Sequence, residues 1–151
     1  MEFSWYRFDE FGPKELYSTL ALRQDILVVE QKSPYPDLDF VDQTALHLLV
    51  KNGADLVAYA RCNWPSGAIA FASIGRVVVS KQHRGRGLGR ELLQRILARL
   101  RNDESYDVEI GAQLHLEKFY SHFGFVSDGE PYDDVGVPHI KMRLRLRDAR
   151  L

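Results

Sequence analysis

The run Arg84-Gly85-Arg86-Gly87-Leu88-Gly89 holds the residues whose types and spacing point most directly to chemistry. It follows the β-branched stretch Ile74-Gly75-Arg76-Val77-Val78-Val79 and precedes Leu88, Leu92, Leu93, Ile96, Leu97 and Leu100 at helical spacing. The pattern predicts a strand that feeds, through a glycine turn, into the N-terminus of an amphipathic helix. Helix N-termini carry unpaired N–H groups and a partial positive charge, which suit a phosphate. Glycine lets backbone approach an anion with no Cβ in the way, and guanidinium forks match phosphate oxygens. The implied ligand is a phosphorylated cofactor. A P-loop would need Lys-Ser or Lys-Thr after the glycines, and a dinucleotide loop would need glycine where Arg90 stands. The plainer alternative is a cationic turn that only caps a helix; the flanking strand and helix favour the cofactor.

The spacing Arg84-x-x-Gly87-x-Gly89 resembles the pyrophosphate loop of the GNAT acyl-CoA N-acyltransferases. A second stretch resembles that family's other signature: Gln113 stands at an Asn position, Phe119-Tyr120 at a Leu-Tyr pair, and Gly124-Phe125 closes it. The runs Val29-Glu30-Gln31, Pro34-Tyr35 and Gly136-Val137-Pro138-His139-Ile140 are similar to the ElaA-type subgroup. The resemblance implies a GNAT fold, with acetyl-CoA as co-substrate. It implies an N-acetyltransferase acting on a primary amine of a small molecule or a protein. It further implies that Arg84, Gly85, Arg86, Gly87, Leu88 and Gly89 cradle the pyrophosphate. Backbone groups of Val77 and Val79, on a bulged and splayed strand, would hold pantetheine and the thioester carbonyl, with Gln113 beside the pantetheine arm. Tyr120 would be the general acid toward the departing sulfur.

The remaining chemistry is read from the residues themselves. A lysine-like acceptor, pKa about 10.4, is mostly protonated at neutral pH, so a base helps. Glu30, ending the first helix, and His139, after Gly136-Val137-Pro138, are the candidate bases; His47 and Glu109 are weaker ones. Asp37, Asp39 and Asp42, with Asp133 and Asp134, read either as an acidic rim that concentrates a cationic amine or as plain solvated loop. No residue is poised as an acyl-enzyme nucleophile, so direct attack in a ternary complex is expected. His115 and His122 lack a third clear ligand, and no metal is expected. Two rival readings remain: a non-catalytic acyl-CoA-binding sensor, and an RNA contact through Arg84-Gly85-Arg86-Gly87 and the basic C-terminal stretch. Near-neutral charge and the lack of a stacking motif weigh against RNA.

The elements that must position these residues follow in order. Phe3 to Phe8 reads as a strand and Lys14 to Gln31 as a helix. The two prolines of Ser33 to Asp42 make that stretch a loop. Thr44 to Val50 and Leu56 to Cys62 are strands joined at Asn52-Gly53. Ile69 to Ser80 is a strand, Gly87 to Arg101 a helix, and Tyr106 to Ala112 a strand. Leu116 to Phe123 is a short helix ended by Gly124. Phe125-Val126 starts a strand, Glu130 to Pro138 is an acidic loop, and His139 to Leu146 closes with a strand. This order predicts one α/β domain over residues 1–151 around a mixed, mostly antiparallel sheet. With 151 residues, 45% of them hydrophobic and 27% charged, and a net charge of -1, an ordinary globular composition is met. The lone Cys62 excludes an internal disulfide and reads as a buried thiol in a reducing compartment. With no leader pattern and no membrane-spanning apolar run, a cytoplasmic location is expected, with no membrane or nucleic-acid partner. A homodimer is compatible with the family resemblance.

Overall fold

The computed structural model describes residues 1–103 and 106–151. In chain order the elements are β1 (Glu2–Arg7), α1 (Pro13–Arg23), β2 (Leu46–Asn52), β3 (Asp55–Asn63) and β4 (Ala72–Val79). They continue with α2 (Leu88–Asp103), β5 (Asp107–Gln113), α3 (Glu117–Ser121), β6 (Val126–Ser127), β7 (Tyr132–Asp134) and β8 (Val137–Arg145). One sheet takes the order β1-β2-β3-β4-β5-β8-β6, with β7 on β8. Every pairing is antiparallel except β4 with β5. The mixed α/β architecture expected from the sequence is the one observed.

Strand alternation sorts the core into two faces. Leu48, Val50, Ala58 and Ala60 pack with Leu92, Leu93, Ile96 and Leu97 of α2. Their neighbours Leu49 and Tyr59 face the other way, onto Ile26 and Val78. The helical spacing read in α2 is therefore its buried stripe.

The parallel pair positions the site. β4 and β5 are in register only at Ala72↔Val108 and Ser73↔Glu109, and then part. On its other side β4 slips against β3, with Val78 opposite Tyr59 but Gly75 opposite Arg61. One extra residue is accommodated there, and Arg76 takes a φ of 53°. A bulged strand beside a diverging neighbour leaves backbone groups out of the ladder, open to a ligand.

Several boundaries differ from the sequence reading. The first helix is α-helical only from Pro13 to Arg23; Gln24–Glu30 winds wider, with Gln31 N–H donating to Ile26 O at 3.3 Å. The strand expected from Ile69 begins at Ala72, because Ile69 and Ser66 instead close a tight turn with two 3.0 Å backbone bonds. The strand expected from Thr44 begins at Leu46, after a 3-10 turn over Asp42–Thr44. The acidic loop Glu130 to Pro138 is in fact the β7–β8 hairpin. Its turn residues Val135 and Gly136 both have positive φ, 49° and 81°, as a two-residue hairpin turn demands. Gly124, φ 100°, ends α3's segment as expected.

The Ser33–Asp42 loop is fastened by a closed ring of six charges. Arg23 bonds Asp37 (2.9 Å) and Asp42 (2.8 Å), and Arg61 bonds Asp42 (2.8 Å) and Asp39. Arg76 completes the circuit to Asp37 (2.9 Å) and Asp39 (3.2 Å). Each arginine serves two aspartates and each aspartate two arginines. The expected acidic rim is thus corrected: Asp37, Asp39 and Asp42 are structural counter-ions, with Asp37 and Asp42 buried. Burial pushes the Asp42 carboxyl up, but hydrogen bonds from Arg23 and Arg61 outweigh it and hold it low. Hydrogen bonds from Arg61 also hold the Asp39 carboxyl well below the usual range.

Removing one partner leaves uncompensated buried charge, so Arg23→Ala should cost about 3–5 kcal/mol of unfolding free energy in denaturant titration. Carboxyls with lowered folded-state pKa contribute stability that is fully present above their unfolded value and lost as pH falls through the folded one. Stability measured by urea titration should therefore hold from pH 7 to about 5 and fall below about 4. In Asp42→Asn that acid slope should be shallower; an unchanged slope would remove Asp42 from the account.

Candidate functional site

The candidate cofactor turn begins where β4 ends. After a 3-10 turn over Lys81–His83, Gly85 and Gly87 take φ values of 73° and 81°, which L side chains rarely adopt. A Cβ at Gly87 would meet nothing within 4 Å, so backbone conformation and open approach, not crowding, require glycine there. Glu91 N–H donates to Gly87 O at 3.0 Å, which makes Gly87 the residue just before the first helical turn. The N–H groups of Leu88, Gly89 and Arg90 then have no intrahelical acceptor. Arg86 is exposed at the same turn. These features fit the pyrophosphate of a nucleotide cofactor.

Arg84 is differently disposed from the sequence expectation. Its Nε donates to Val79 O at 2.9 Å, and its Nη1 and Nη2 clasp Glu30 at 2.6 and 2.9 Å. The guanidinium is a strut between the turn and the end of the first helical segment. The same pair corrects Glu30. The carboxyl expected to serve as a base is exposed, and the Arg84 hydrogen bonds hold its pKa below the ordinary value. A carboxylate so stabilised is a poor proton acceptor.

Next along β4 the diverging strands enclose a cavity of about 280 Å³. Val77, Gln113, Tyr120 and His139, four residues singled out from sequence, line it together. Val79, residues 84–89, Glu30, Asp37 and Asp39 do not line it. Tyr120 is 8% exposed, its ring held edge-on by Phe119 and Phe125 at 5.1 and 5.9 Å. Burial pushes its hydroxyl up to about 12, so it keeps its proton at neutral pH. His139 lies opposite Gln113 across β5 and β8. Its Nδ1 is 2.7 Å from Val137 O, and a carbonyl only accepts, so the proton sits on Nδ1. In the neutral ring Nε2 is then a free lone pair, 4.0 Å from Asp134 Oδ2.

Other candidates have structural duties. His47 is buried between Tyr59 Oη (2.7 Å) and Asp42 O (2.9 Å), and burial lowers its pKa. Glu109 pairs with Arg143 at 3.1 Å and Lys141 at 3.8 Å. Burial pushes the Cys62 thiol up to about 12, which removes it as a nucleophile. Sequence reasoning missed Arg76, Tyr35 and Tyr132 in the cavity wall. Arg76 lies 4.7 Å from the Tyr35 ring centroid. One signal for Tyr132 was available: Gly111, where a Cβ would come within 2.9 Å of the Tyr132 oxygen.

Residues 25–146 match the family described as acetyltransferase (GNAT) domain. A Synechocystis UPF0039 protein is 42% identical over 97% of this chain and 96% of its own. Protein ElaA of Escherichia coli is 39% identical over 88% of this chain and 89% of its own. The crystal structure of an acyl-CoA N-acyltransferase from Pseudomonas aeruginosa, 38% identical, superposes with a TM-score of 0.88 over 94% of this chain and 97% of its own.

Gly87→Ala should lose about 1–2 kcal/mol of stability through its positive φ while CoA still binds. Gly87→Glu should lose a similar amount and abolish CoA binding in calorimetric titration. Equal affinities of the two variants would detach the turn from the cofactor.

Proposed function

The chain belongs to the GNAT acetyltransferase family and is of the ElaA type, and from that premise we propose that it transfers an acetyl group from acetyl-CoA to a primary amine. The observation that carries the reading is the meeting of Tyr120, Gln113, Val77 and His139 in one cavity at the fork of β4 and β5. β4 lines the cavity at Ile74–Val77 and leads on to the turn at Gly85–Gly89, so a cofactor held there by its phosphates would reach the cavity along β4. Bound acetyl-CoA supplies a thioester, an acyl donor activated toward amines.

The chain's own residues provide the rest. The N–H groups at the start of α2 and the side chain of Arg86 hold phosphate. Backbone groups at the Arg76–Val77 bulge orient the thioester end, and Gln113 offers a side-chain amide to the pantetheine arm. His139 Nε2 takes a proton from the incoming ammonium, its tautomer fixed by Val137 O. Tyr120 Oη keeps its proton until the sulfur departs and donates it there. Cys62, the one thiol, is buried in the core, which favours direct attack in a ternary complex over an acyl-enzyme. Among the described residues no helix is long and apolar enough to cross a membrane, and a cytoplasmic setting, where acetyl-CoA is available, suits the reaction.

Calorimetric titration with acetyl-CoA, against dephospho-CoA and ATP, tests the cofactor, and thiol release with an amine panel tests turnover. Tyr120→Phe and His139→Gln should each lower kcat about 10²-fold with acetyl-CoA affinity unchanged. Wild-type kcat in Tyr120→Phe would reduce Tyr120 to packing. Binding without thiol release over the whole panel would favour the sensor reading instead.

A further inference from the structure

The acceptor end of the cavity has a shape and a charge of its own, and both discriminate among amines. Two lips border it. One is the Ser33–Asp42 loop, which contributes Ser33 and Tyr35; the other is the β7–β8 hairpin, which contributes Tyr132, Asp134 and His139. The lips touch: Ser33, 5% exposed, donates from Oγ to Val135 O at 3.1 Å across 102 residues of sequence. Each lip is also tied to the strands beneath it. Asp37 and Asp39 tie the first to Arg76 on the cavity floor, and the Arg76 guanidinium lies over the Tyr35 ring. Tyr132 fills the notch left by Gly111 and stacks on His139 at 5.8 Å. A cavity of about 280 Å³ between two lips joined by a hydrogen bond has the dimensions of a small-molecule site.

The charge in this lining is lopsided. Arg76 is already answered by Asp37 and Asp39. Tyr35 and Tyr132 are both raised by burial, so their hydroxyls stay neutral. Asp134 has no arginine or lysine partner among the described residues, and its one charged-type neighbour is His139 at 4.0 Å. An ammonium drawn to Asp134 arrives next to the free lone pair of His139 Nε2.

Resting on the proposed acyl transfer, we infer that the acceptor is a small, free, polar amine that enters as an ammonium against Asp134, and not a lysine of a polypeptide. Asp134 sets specificity; its carboxylate forms and breaks no bond. His139 takes one proton from the ammonium, the amine nitrogen bonds to the acyl carbon and the carbon–sulfur bond breaks; the sulfur leaves with the proton of Tyr120, and the second proton from nitrogen restores Tyr120.

The test has two arms. In the first, thiol release from acetyl-CoA is measured with free diamines and amino alcohols and with lysine-containing decapeptides. The kcat/KM of the best free amine should exceed that of every peptide at least ten-fold. In the second, the same free amine is titrated calorimetrically into the protein–CoA complex, where no chemistry occurs. Asp134→Asn should weaken amine binding and raise its KM about ten-fold, with kcat changed less than three-fold and CoA affinity unmoved. Charge-conserving Asp134→Glu should recover part of the loss. Peptide lysines turned over as well as free amines would overturn the inference, as would unchanged amine affinity in Asp134→Asn. Absence of thiol release with every amine, although acetyl-CoA binds, would instead sink acyl transfer itself, and the acceptor assignment with it.

Discussion

The ring of Arg23, Asp37, Arg76, Asp39, Arg61 and Asp42 is the constraint on which the rest of this structure depends. It joins the end of α1, the last third of β3, the bulge of β4 and a proline-containing loop with little secondary structure of its own. Buried charge is tolerable only when paired and hydrogen-bonded, and six alternating charges satisfy one another with no net residue. Such a ring adds little stability relative to well-packed apolar groups; its effect is geometric. It demands that Arg76 point at the loop, which sets the backbone where φ is 53° and fixes the bulge that opens β4 to a ligand. The loop then becomes one lip of the cavity.

The local parts of this design were legible in the sequence and the nonlocal parts were not. The strand, glycine turn and α2 could be read because each signal lies within a few residues of its consequence. Leu92, Leu93, Ile96 and Leu97 repeat at the helical period and all face the core. Gly85 and Gly87 mark positive φ within the turn itself. Tyr120, Gln113 and His139 could be named, but their meeting depends on the parting of β4 from β5, which no local pattern encodes.

The aspartates show why the reading failed where it did. A stretch with Asp37, Asp39 and Asp42 counts as acidic when its own residues are tallied. The arginines that neutralise them lie at positions 23, 61 and 76, separated by strands and turns. Glu30 fails for the same reason, because Arg84, 54 positions away, holds it ionised. The β7–β8 hairpin was hidden by a different cause. Its turn places Val135 at positive φ, where Asn or Gly would have announced it, and the β-branched residue is held there by the pairing on either side.

Taken together, these pairings decide what charge is left for chemistry. Had Arg76 lacked Asp37 and Asp39, the cavity would carry a bare guanidinium and would favour an anion. Glu30, outside the lining and clasped by Arg84, adds no second carboxylate to it. With both neutralised, the lining keeps one carboxylate at Asp134, one imidazole with its Nε2 lone pair free, and a buried phenol whose pKa of about 12 keeps it protonated. An imidazole with a free lone pair and a phenol that keeps its proton, beside a carboxylate, form an arrangement in which an ammonium can enter, lose its proton and react. The closed ring therefore acts on the proposed reaction by cancelling charge, and the selectivity of the cavity follows from the charges it cancels.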